Sequence, residues 1–178
     1  MYADSRAVGD VVTEIHSRGF EQVFRQYYAR VARLIARLVR DPGRAEELAV
    51  EVFWRLSRNP KALGNSAGGW LYRSAVRAGL YELRRQGRRD RFAHLLPLGE
   101  RPKDPEELHA AAEAQHQVRE ILAAMESRQA ELILLRASGL SYEELATALE
   151  LNPASVGTLL SRAHQAFRKE YVQRYGER

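Results

Sequence analysis

The apolar residues of this chain of 178 residues recur at helical spacing almost from one end to the other. Signals for strands are missing, because no run alternates Val, Ile or Thr with polar residues and no Asn-Gly or Asp-Gly turn occurs. The helical spacing is clearest between residues 20 and 40, where it marks one face of a helix. That face consists of Phe20, Val23, Phe24, Tyr27, Tyr28, Val31, Leu34, Ile35 and Leu38. The pattern predicts an all-α fold.

Start and stop signals then divide the first half of the chain into three helices. Asp41 is a good N-cap and Pro42 fits the first helical position, so a second helix begins there. The Asn-Pro pair near residue 60 ends it, and residues 59–69 are expected to form a loop. A third helix is expected from about Trp70 into the arginine-rich residues that follow.

The second half begins after a stretch that is typical of a linker. Residues 92–104 contain turn residues and show no sustained period. Asp104 and Pro105 then restart a helix as its cap and first residue. Further along, Ser127 is expected to cap one helix and Gly139 to end it.

Charge also divides the chain in two. The net charge is +5, but residues 1–91 hold 18 Lys and Arg against 10 Asp and Glu, whereas residues 92–178 hold 10 against 13. A solubilising surface explains the total better than the asymmetry, which favours two modules with different partners. We therefore expect two small helical domains, at residues 1–91 and 118–178, joined by a linker at residues 92–117.

Composition excludes several classes of protein. Cysteine is absent, so disulfides and thiolate chemistry are excluded and a reducing compartment is favoured. No apolar run approaches the length that spans a bilayer, and the first ten residues lack the basic-then-apolar order of a signal peptide. The expected location is the cytoplasm, without insertion in a membrane.

Residues 141–156 predict a helix, a tight turn and a second helix. Ser141 and Glu144 form a capping box, and Asn152 and Pro153 are a good cap and first residue for the second helix. This order matches a helix-turn-helix, whose second helix contacts DNA. The polar residues away from its apolar face are candidates for DNA contact: Ser155, Thr158, Ser161, Arg162, Gln165 and Lys169. An ordinary packed helical hairpin is the alternative.

The stretch "GWLYRSAVRAGLYELRRQGRR" at residues 69–89 places tyrosines among arginines on one predicted helix. Arginines neutralise phosphates and aromatic faces stack on unpaired bases, so the pattern favours contact with DNA beside exposed bases. A solvated basic face with tyrosines at its boundary is the alternative.

Signals for catalysis are weak. No glycine-rich phosphate loop, nucleophile elbow or paired-carboxylate site occurs. His109, Glu113 and His116 lie near one helical face at steps of four and three residues, but a solvated alanine-rich helix explains them better than a metal site. We expect a protein that is not an enzyme and needs neither metal nor cofactor.

The order of these features resembles the extracytoplasmic-function (ECF, group IV) sigma factors of bacterial RNA polymerase. "AEELAVEVFWRLSR" is similar to their region 2.1–2.2, and "GWLYRSAVRAGLYELRRQGRR" to their region 2.3–2.4. The segment from "MESRQAELILLRASGLSYEEL" to "SRAHQAF" is similar to their region 4. The resemblance covers roughly residues 20–171 and implies a sigma-2-like bundle, a linker and a sigma-4-like helix-turn-helix domain.

The resemblance also implies partners and a role for each part. The chain would bind the polymerase core, at the beta-prime clamp helices and the beta flap, and direct promoter-specific initiation. A regulator such as an anti-sigma factor would hold it inactive. The residues that would dock on the clamp helices are Glu47, Val50, Glu51, Phe53 and Trp54. The residues that would recognise and hold open the −10 element are Lys61, Asn65, Trp70, Arg73, Arg77, Tyr81, Arg84, Arg85 and Arg88. The helix from Pro153 would contact the −35 element.

Six positions depart from the family pattern, and they are Glu47, Val50, Arg77, Tyr81, Gly157 and Leu159. Val50 replaces a common Gln, and Arg77 and Tyr81 stand where the family usually has Asn and Asp. These last three departures motivate an alternative function, a sigma-like adaptor or DNA-binding regulator that does not melt promoters by itself.

Overall fold

The structure is a computed structural model that describes residues 4–64, 66–93 and 106–176. Within these ranges the chain is helical and contains no strand, which confirms the predicted all-α class. The helices are α1 (Asp4–Leu38), α2 (Pro42–Ser57), α3 (Ala67–Ala93), α4 (Glu106–Ala124), α5 (Ser127–Ala137), α6 (Tyr142–Leu149) and α7 (Val156–Tyr175). Short 3₁₀ turns at Pro60–Ala62 and Pro153–Ser155 precede α3 and α7.

The predicted start of α2 is confirmed, and α3 begins earlier than expected. Asp41 Oδ1 accepts a hydrogen bond from the Arg44 amide at 3.1 Å, with Pro42 as the first helical residue. Helix α3 starts at Ala67, so Gly68 and Gly69 are helical although they were expected in the loop. Both glycines lie where neighbouring elements pack closely, against Tyr27 and Ala148.

The cap of α5 is a correction to the sequence analysis. Glu126, and not Ser127, is the N-cap, because its longer carboxylate accepts hydrogen bonds from the amides of Arg128 and Gln129. The Ser127 hydroxyl instead accepts a hydrogen bond from Arg84. The end of α5 is as predicted, since Gly139 adopts a φ of 93°, a conformation that glycine reaches without strain.

The helices form two groups that share α3 as a common wall. Helices α1, α2 and α3 pack together as one bundle, and α5, α6 and α7 pack as another with α4 alongside. Helix α3 contacts α4, α5 and α6 as well, so one continuous core of buried side chains joins the two groups. We call them the N-terminal module (α1–α3) and the C-terminal module (α4–α7).

The predicted domain boundaries stay a prediction. Helix α4 runs without a break through residue 118, where the second domain was expected to begin. Residues 94–105 lie outside the described residues, and so do the expected cap Asp104 and its neighbour Pro105. No helix among the described residues is long and apolar enough to cross a membrane.

Candidate DNA and polymerase interfaces

Helices α6 and α7 form the predicted helix-turn-helix. The capping box is present, since the Ser141 hydroxyl accepts from the Glu144 amide and the Glu144 carboxylate accepts from the Ser141 amide. Glu150 turns the chain in the left-handed region with a φ of 54°. Asn152 caps the next turn as predicted, but that turn is 3₁₀, so the α-helix itself starts at Val156.

Helix α7 buries one face and leaves its polar face open. Val156, Leu160 and Ala163 are buried in the C-terminal module. Of the predicted contacts to DNA, Ser155 is half-buried. The other five are exposed, and they are Thr158, Ser161, Arg162, Gln165 and Lys169. A helix packed by one face with hydroxyl, amide and cationic groups on the other can enter a DNA groove.

Residues that were not predicted from the sequence extend this surface. Arg136 of α5 stacks over the ring of Tyr142, with its guanidinium carbon 5.5 Å from the ring centre. Both line a shallow groove of about 440 Å³ that His164 and Arg168 of α7 also line. Arg168 lies seven residues after Ser161, on the same helical face, and that spacing was the signal available in the sequence.

The arginines of α3 have a different environment, because the C-terminal module binds three of them. Arg77 Nε donates to Glu131 Oε1 of α5 at 2.9 Å, and Glu131 is only 5% exposed. Arg73 Nη1 donates to Glu150 Oε1 at 2.5 Å. This hydrogen bond, together with the charge of Arg73, lowers the pKa of the Glu150 carboxyl below its ordinary value.

Arg84 is held by the backbone between α4 and α5. Its guanidinium donates to the carbonyl oxygens of Ala123 and Met125, at 3.1 Å and 3.0 Å, and to the Ser127 hydroxyl at 2.8 Å. The carbonyls at the end of a helix lack intrahelical partners, so a guanidinium there replaces the missing hydrogen bonds. Arg84 therefore ties α3 to the C-terminal module by three hydrogen bonds.

A close backbone contact accompanies these polar ones. A Cβ added at Gly69 of α3 would lie 3.4 Å from the Cα of Ala148 in α6, and 3.5 Å from its Cβ. The two modules therefore touch at the start of α3, next to the loop that carries the predicted −10 residue Lys61 and that we call the −10 loop. We call this arrangement, with Arg73, Arg77 and Arg84 bound across it, the closed state.

The remaining predicted −10 residues are open to solvent or half-buried. Tyr81 is 65% exposed, and Lys61, Arg85 and Arg88 are also exposed. Trp70 is half-buried against the core. Asn65 lies outside the described residues.

The predicted polymerase-binding residues on α2 divide into three environments. Val50 and Trp54 are more than half exposed, and Arg58 stacks over Trp54 with its guanidinium carbon 4.2 Å from the ring centre. Glu47 and Glu51 accept hydrogen bonds from Arg44, which has a raised pKa because of Glu47 above all. These two carboxylates remain partly exposed.

Phe53 is a core residue in this structure. It is 2% exposed, and its ring lies between those of Phe20, Phe24 and Tyr28 at centroid distances of 4.9 to 6.4 Å. Consecutive residues of a helix point in different directions, so Phe53 faces the core whereas its neighbour Trp54 faces solvent. Phe53 therefore supports the α2 surface from within and does not form part of it.

Among the residues that the structure describes, no group of three His, Asp or Glu side chains is placed to hold a metal ion. His116 contacts Arg40, which follows the end of α1, and lies 3.7 Å from Glu120. The side chain of His109 lies outside the part of the chain that the structure describes.

Comparison with known proteins gives concordant matches. Residues 23–89 match the family model "Sigma-70 region 2" and residues 115–166 match "Sigma-70, region 4". The RNA polymerase sigma-H factor of Pseudomonas aeruginosa is 29% identical over 168 residues, which cover 85% of this chain and 86% of the relative. The ECF RNA polymerase sigma factor SigE of Mycolicibacterium smegmatis is 28% identical over 158 residues, 82% of this chain and 58% of the relative.

A solved structure shares the fold. The sigma factor RpoE in complex with the anti-sigma factor NepR, from Bartonella quintana, superposes with a TM-score of 0.52 and 19% sequence identity. The match covers 85% of this chain and 95% of that one. At this identity the likeness concerns the helical architecture alone.

Proposed function

Because this chain belongs to the extracytoplasmic-function group of the sigma-70 family, which directs promoter-specific initiation by bacterial RNA polymerase, we propose a separate role for each module. The C-terminal module contacts the −35 element through α7. The N-terminal module binds the polymerase core through α2 and the −10 element through α3. The polymerase supplies catalysis in the cytoplasm, and this chain supplies promoter specificity.

The observation that carries the −35 assignment is the open polar face of α7. Thr158 and Arg162 lie one turn apart on it, and both are exposed. Side chains at this spacing face the same way, so they can contact neighbouring base edges or phosphates from one helix in the major groove.

The polymerase assignment rests on the exposed pair Val50 and Trp54. Large apolar side chains that stay exposed beside charged ones mark a protein contact surface. The clamp helices of the polymerase cover this surface in the holoenzyme, and an anti-sigma protein covers part of the chain in its inactive form. The structural neighbour was itself solved with an anti-sigma factor.

The −10 assignment includes a change of conformation. In the closed state Arg73, Arg77 and Arg84 donate to the C-terminal module, and the same donors cannot serve phosphates or bases at the same time. The two modules therefore separate before α3 holds the −10 element. Closed and open forms differ in which acceptors satisfy the same guanidinium groups.

A reversible disulfide tests this requirement. Cβ atoms at positions 69 and 148 would lie 3.5 Å apart, which is at the short end of the range of disulfides. The chain has no other cysteine, so the variant Gly69→Cys/Ala148→Cys forms a unique bridge. Oxidation is expected to abolish initiation while a reductant restores it, and the Gly69→Cys single variant controls for the substitution. Full activity of the oxidised, cross-linked chain would disprove the need for opening.

The function as a whole is tested by reconstitution. The purified chain, bacterial core polymerase and a library of promoter-length DNA are combined, and the run-off transcripts are sequenced. Discrete start sites that share upstream elements are expected, with core polymerase alone as the control. Absence of transcripts with intact polymerase binding would favour the sigma-like adaptor, for which Val50, Arg77 and Tyr81 are the motivating departures.

A further inference from the structure

Three arginines on α1 form a surface that the family assignments leave unused. Arg30, Arg33 and Arg37 are all exposed, and steps of three and four residues place them on one side of the helix. The rise of an α-helix gives this stripe a length of about 10 Å. We call Arg30, Arg33 and Arg37 the α1 stripe.

The α1 stripe lacks, among the described residues, the carboxylate partners that Arg25 and Arg44 have. Arg25, on the same helix, pairs with Glu21 at 2.5 Å, and Arg44 reaches three carboxylates. Among the described residues, no carboxylate forms an ion pair with any member of the stripe. Arg37 lies in the last turn of α1, where the negative end of the helix dipole stabilises a cation. This effect does not extend to Arg30.

The positive region continues beyond the stripe. Arg119 of α4 donates to the Arg37 carbonyl at 2.9 Å, and its pKa is lowered by burial and then by the nearby charge of Arg40. Cations are therefore concentrated toward the end of α1. Such a concentration suits a polyanion more than a single carboxylate.

A trough connects the stripe to the predicted −10 loop. One cleft, of about 500 Å³, is lined by Ser66 and Gly68 of that region and by Arg30 and Tyr72. A second cleft, of about 210 Å³, is lined by Arg30 and Tyr72 again and by Arg33 and Arg37. The shared residues make the two clefts neighbours, so a strand that leaves the −10 loop along α1 meets the α1 stripe next.

The other wall of the trough belongs to the C-terminal module. It includes Ser138 and, nearer the loop, the carboxylates Glu143 and Glu144. These carboxylates repel phosphates, so the closed state disfavours a strand near the loop but leaves the exposed arginines accessible. Separation of the modules removes that wall.

We propose that the α1 stripe is a phosphate-binding surface for single-stranded DNA, which holds the strand that passes from the −10 loop along α1. This inference rests on the proposed −10 function for its place in initiation. Phosphate contacts carry no sequence information, so the stripe adds affinity for the melted strand without adding promoter preference. The polymerase is the other macromolecule that the stripe could face, and the test below separates the two.

The test is the salt dependence of binding by the full-length chain to a short, random-sequence single-stranded DNA, followed by fluorescence anisotropy. Each phosphate contact to a single strand contributes about 0.7 to the slope of log K against log salt. The variant Arg30→Gln/Arg33→Gln/Arg37→Gln is therefore expected to lower the magnitude of that slope by about 2. The control Arg25→Gln, on the same helix but paired with Glu21, is expected to leave it unchanged.

Other outcomes would overturn the inference. A slope for the triple variant equal to that of Arg25→Gln would do so, as would failure of the wild-type chain to bind the oligonucleotide at low salt. If the triple variant keeps its DNA slope but loses core polymerase, the stripe faces the polymerase. Thermal melting by circular dichroism verifies that the exposed substitutions leave the fold intact.

A second variant separates this inference from the proposed −10 function. Arg85→Gln/Arg88→Gln removes two exposed arginines of α3. If this variant lowers the slope and the stripe variant does not, the inference fails while the −10 assignment stands. If only the stripe variant lowers it, the −10 assignment of these arginines fails while the stripe binds DNA.

Discussion

Helices α3 and α7 were both predicted to contact DNA, and the structure gives them opposite environments. Helix α7 packs by its apolar face alone, and its polar residues meet solvent. Helix α3 is packed on two sides, and three of its arginines donate to the C-terminal module. A polar pattern on a helix therefore indicates binding capacity, but it does not reveal whether that capacity is already occupied inside the same chain.

The largest expected effect concerns α7, whose polar face is exposed. Arg162→Ala removes an exposed guanidinium from α7, so binding to promoters selected with the wild-type holoenzyme should weaken by about 10-fold to 100-fold. Thermal stability should stay the same, because Arg162 makes no contact in the core. Electrophoretic mobility shift with holoenzyme measures the first, and circular dichroism the second. A stability loss without a binding loss would remove the contrast between the helices.

The next effect concerns α3, whose arginines bind the C-terminal module. Arg77 and Glu131 should show a coupling of about 1 to 2 kcal/mol in a double-mutant cycle with Arg77→Gln and Glu131→Gln, measured by urea unfolding. The expected coupling energy is smaller than that of a fully buried ion pair because the Arg77 side chain is 54% exposed.

The same pair provides a functional readout. Glu131→Gln weakens the acceptor that competes with DNA for Arg77, so it should increase binding of −10 single strands by the holoenzyme. The matched control is Glu113→Gln, an exposed carboxylate of α4 that accepts a hydrogen bond from Gln117 of the same helix and lies outside the trough. No coupling between Arg77 and Glu131 would mean that the closed state does not depend on this ion pair.

Two glycines, one in α3 and one in α7, test how tightly each helix is packed. A Cβ at Gly79 of α3 would lie 2.6 Å from Cδ1 of the buried Leu38, whereas one at Gly157 of α7 would meet Tyr142 at an ordinary 3.6 Å. Gly157→Ala should raise the free energy of unfolding by up to about 1 kcal/mol through helix propensity. Gly79→Ala should lower the free energy of unfolding by about 1 kcal/mol, because the cost of overpacking against Leu38 exceeds the gain in helix propensity. Changes of equal sign in urea unfolding would contradict the difference in packing.

The smallest expected effect is on pH dependence. Arg73 lowers the pKa of Glu150 in the folded chain, so the pair contributes stability above the unfolded carboxyl value of about 4.5 and loses it as the pH falls through the folded value. The melting temperatures of wild type and Glu150→Gln should therefore differ slightly at neutral pH and converge in acid. A difference that grows in acid would reverse the sign of this interaction.

Local signals in the sequence predicted much of the fold. Asp41 with Pro42, the capping box at Ser141 and the glycine at 139 each act within a few residues, so their chemistry is visible in the sequence. Glu126 was not predicted as the N-cap of α5 because the neighbouring Ser127 is a residue type that is preferred at that position. Boundaries such as the start of α3 depend on tertiary packing, and no local pattern contains that information.

The candidate surfaces were predictable in part for the same reason. The exposed face of α7 follows from helical spacing, and so does the exposure of Val50 and Trp54. The burial of Phe53 depends on aromatic rings that come from α1, and the partners of Arg77 and Arg84 lie 54 and 39 to 43 residues away. Contacts between the modules depend on the three-dimensional arrangement, so the closed state could not be predicted from local patterns.

In the proposed mechanism Arg77 has two partners, Glu131 in the closed state and DNA during initiation. A substitution at Arg77 would then change both the preference among promoters and the fraction of molecules that are open. Evolution cannot adjust the two properties independently at this position. A lineage that altered its −10 preference through Arg77 would have to compensate on α5, and Glu131 is where such a paired change would fall.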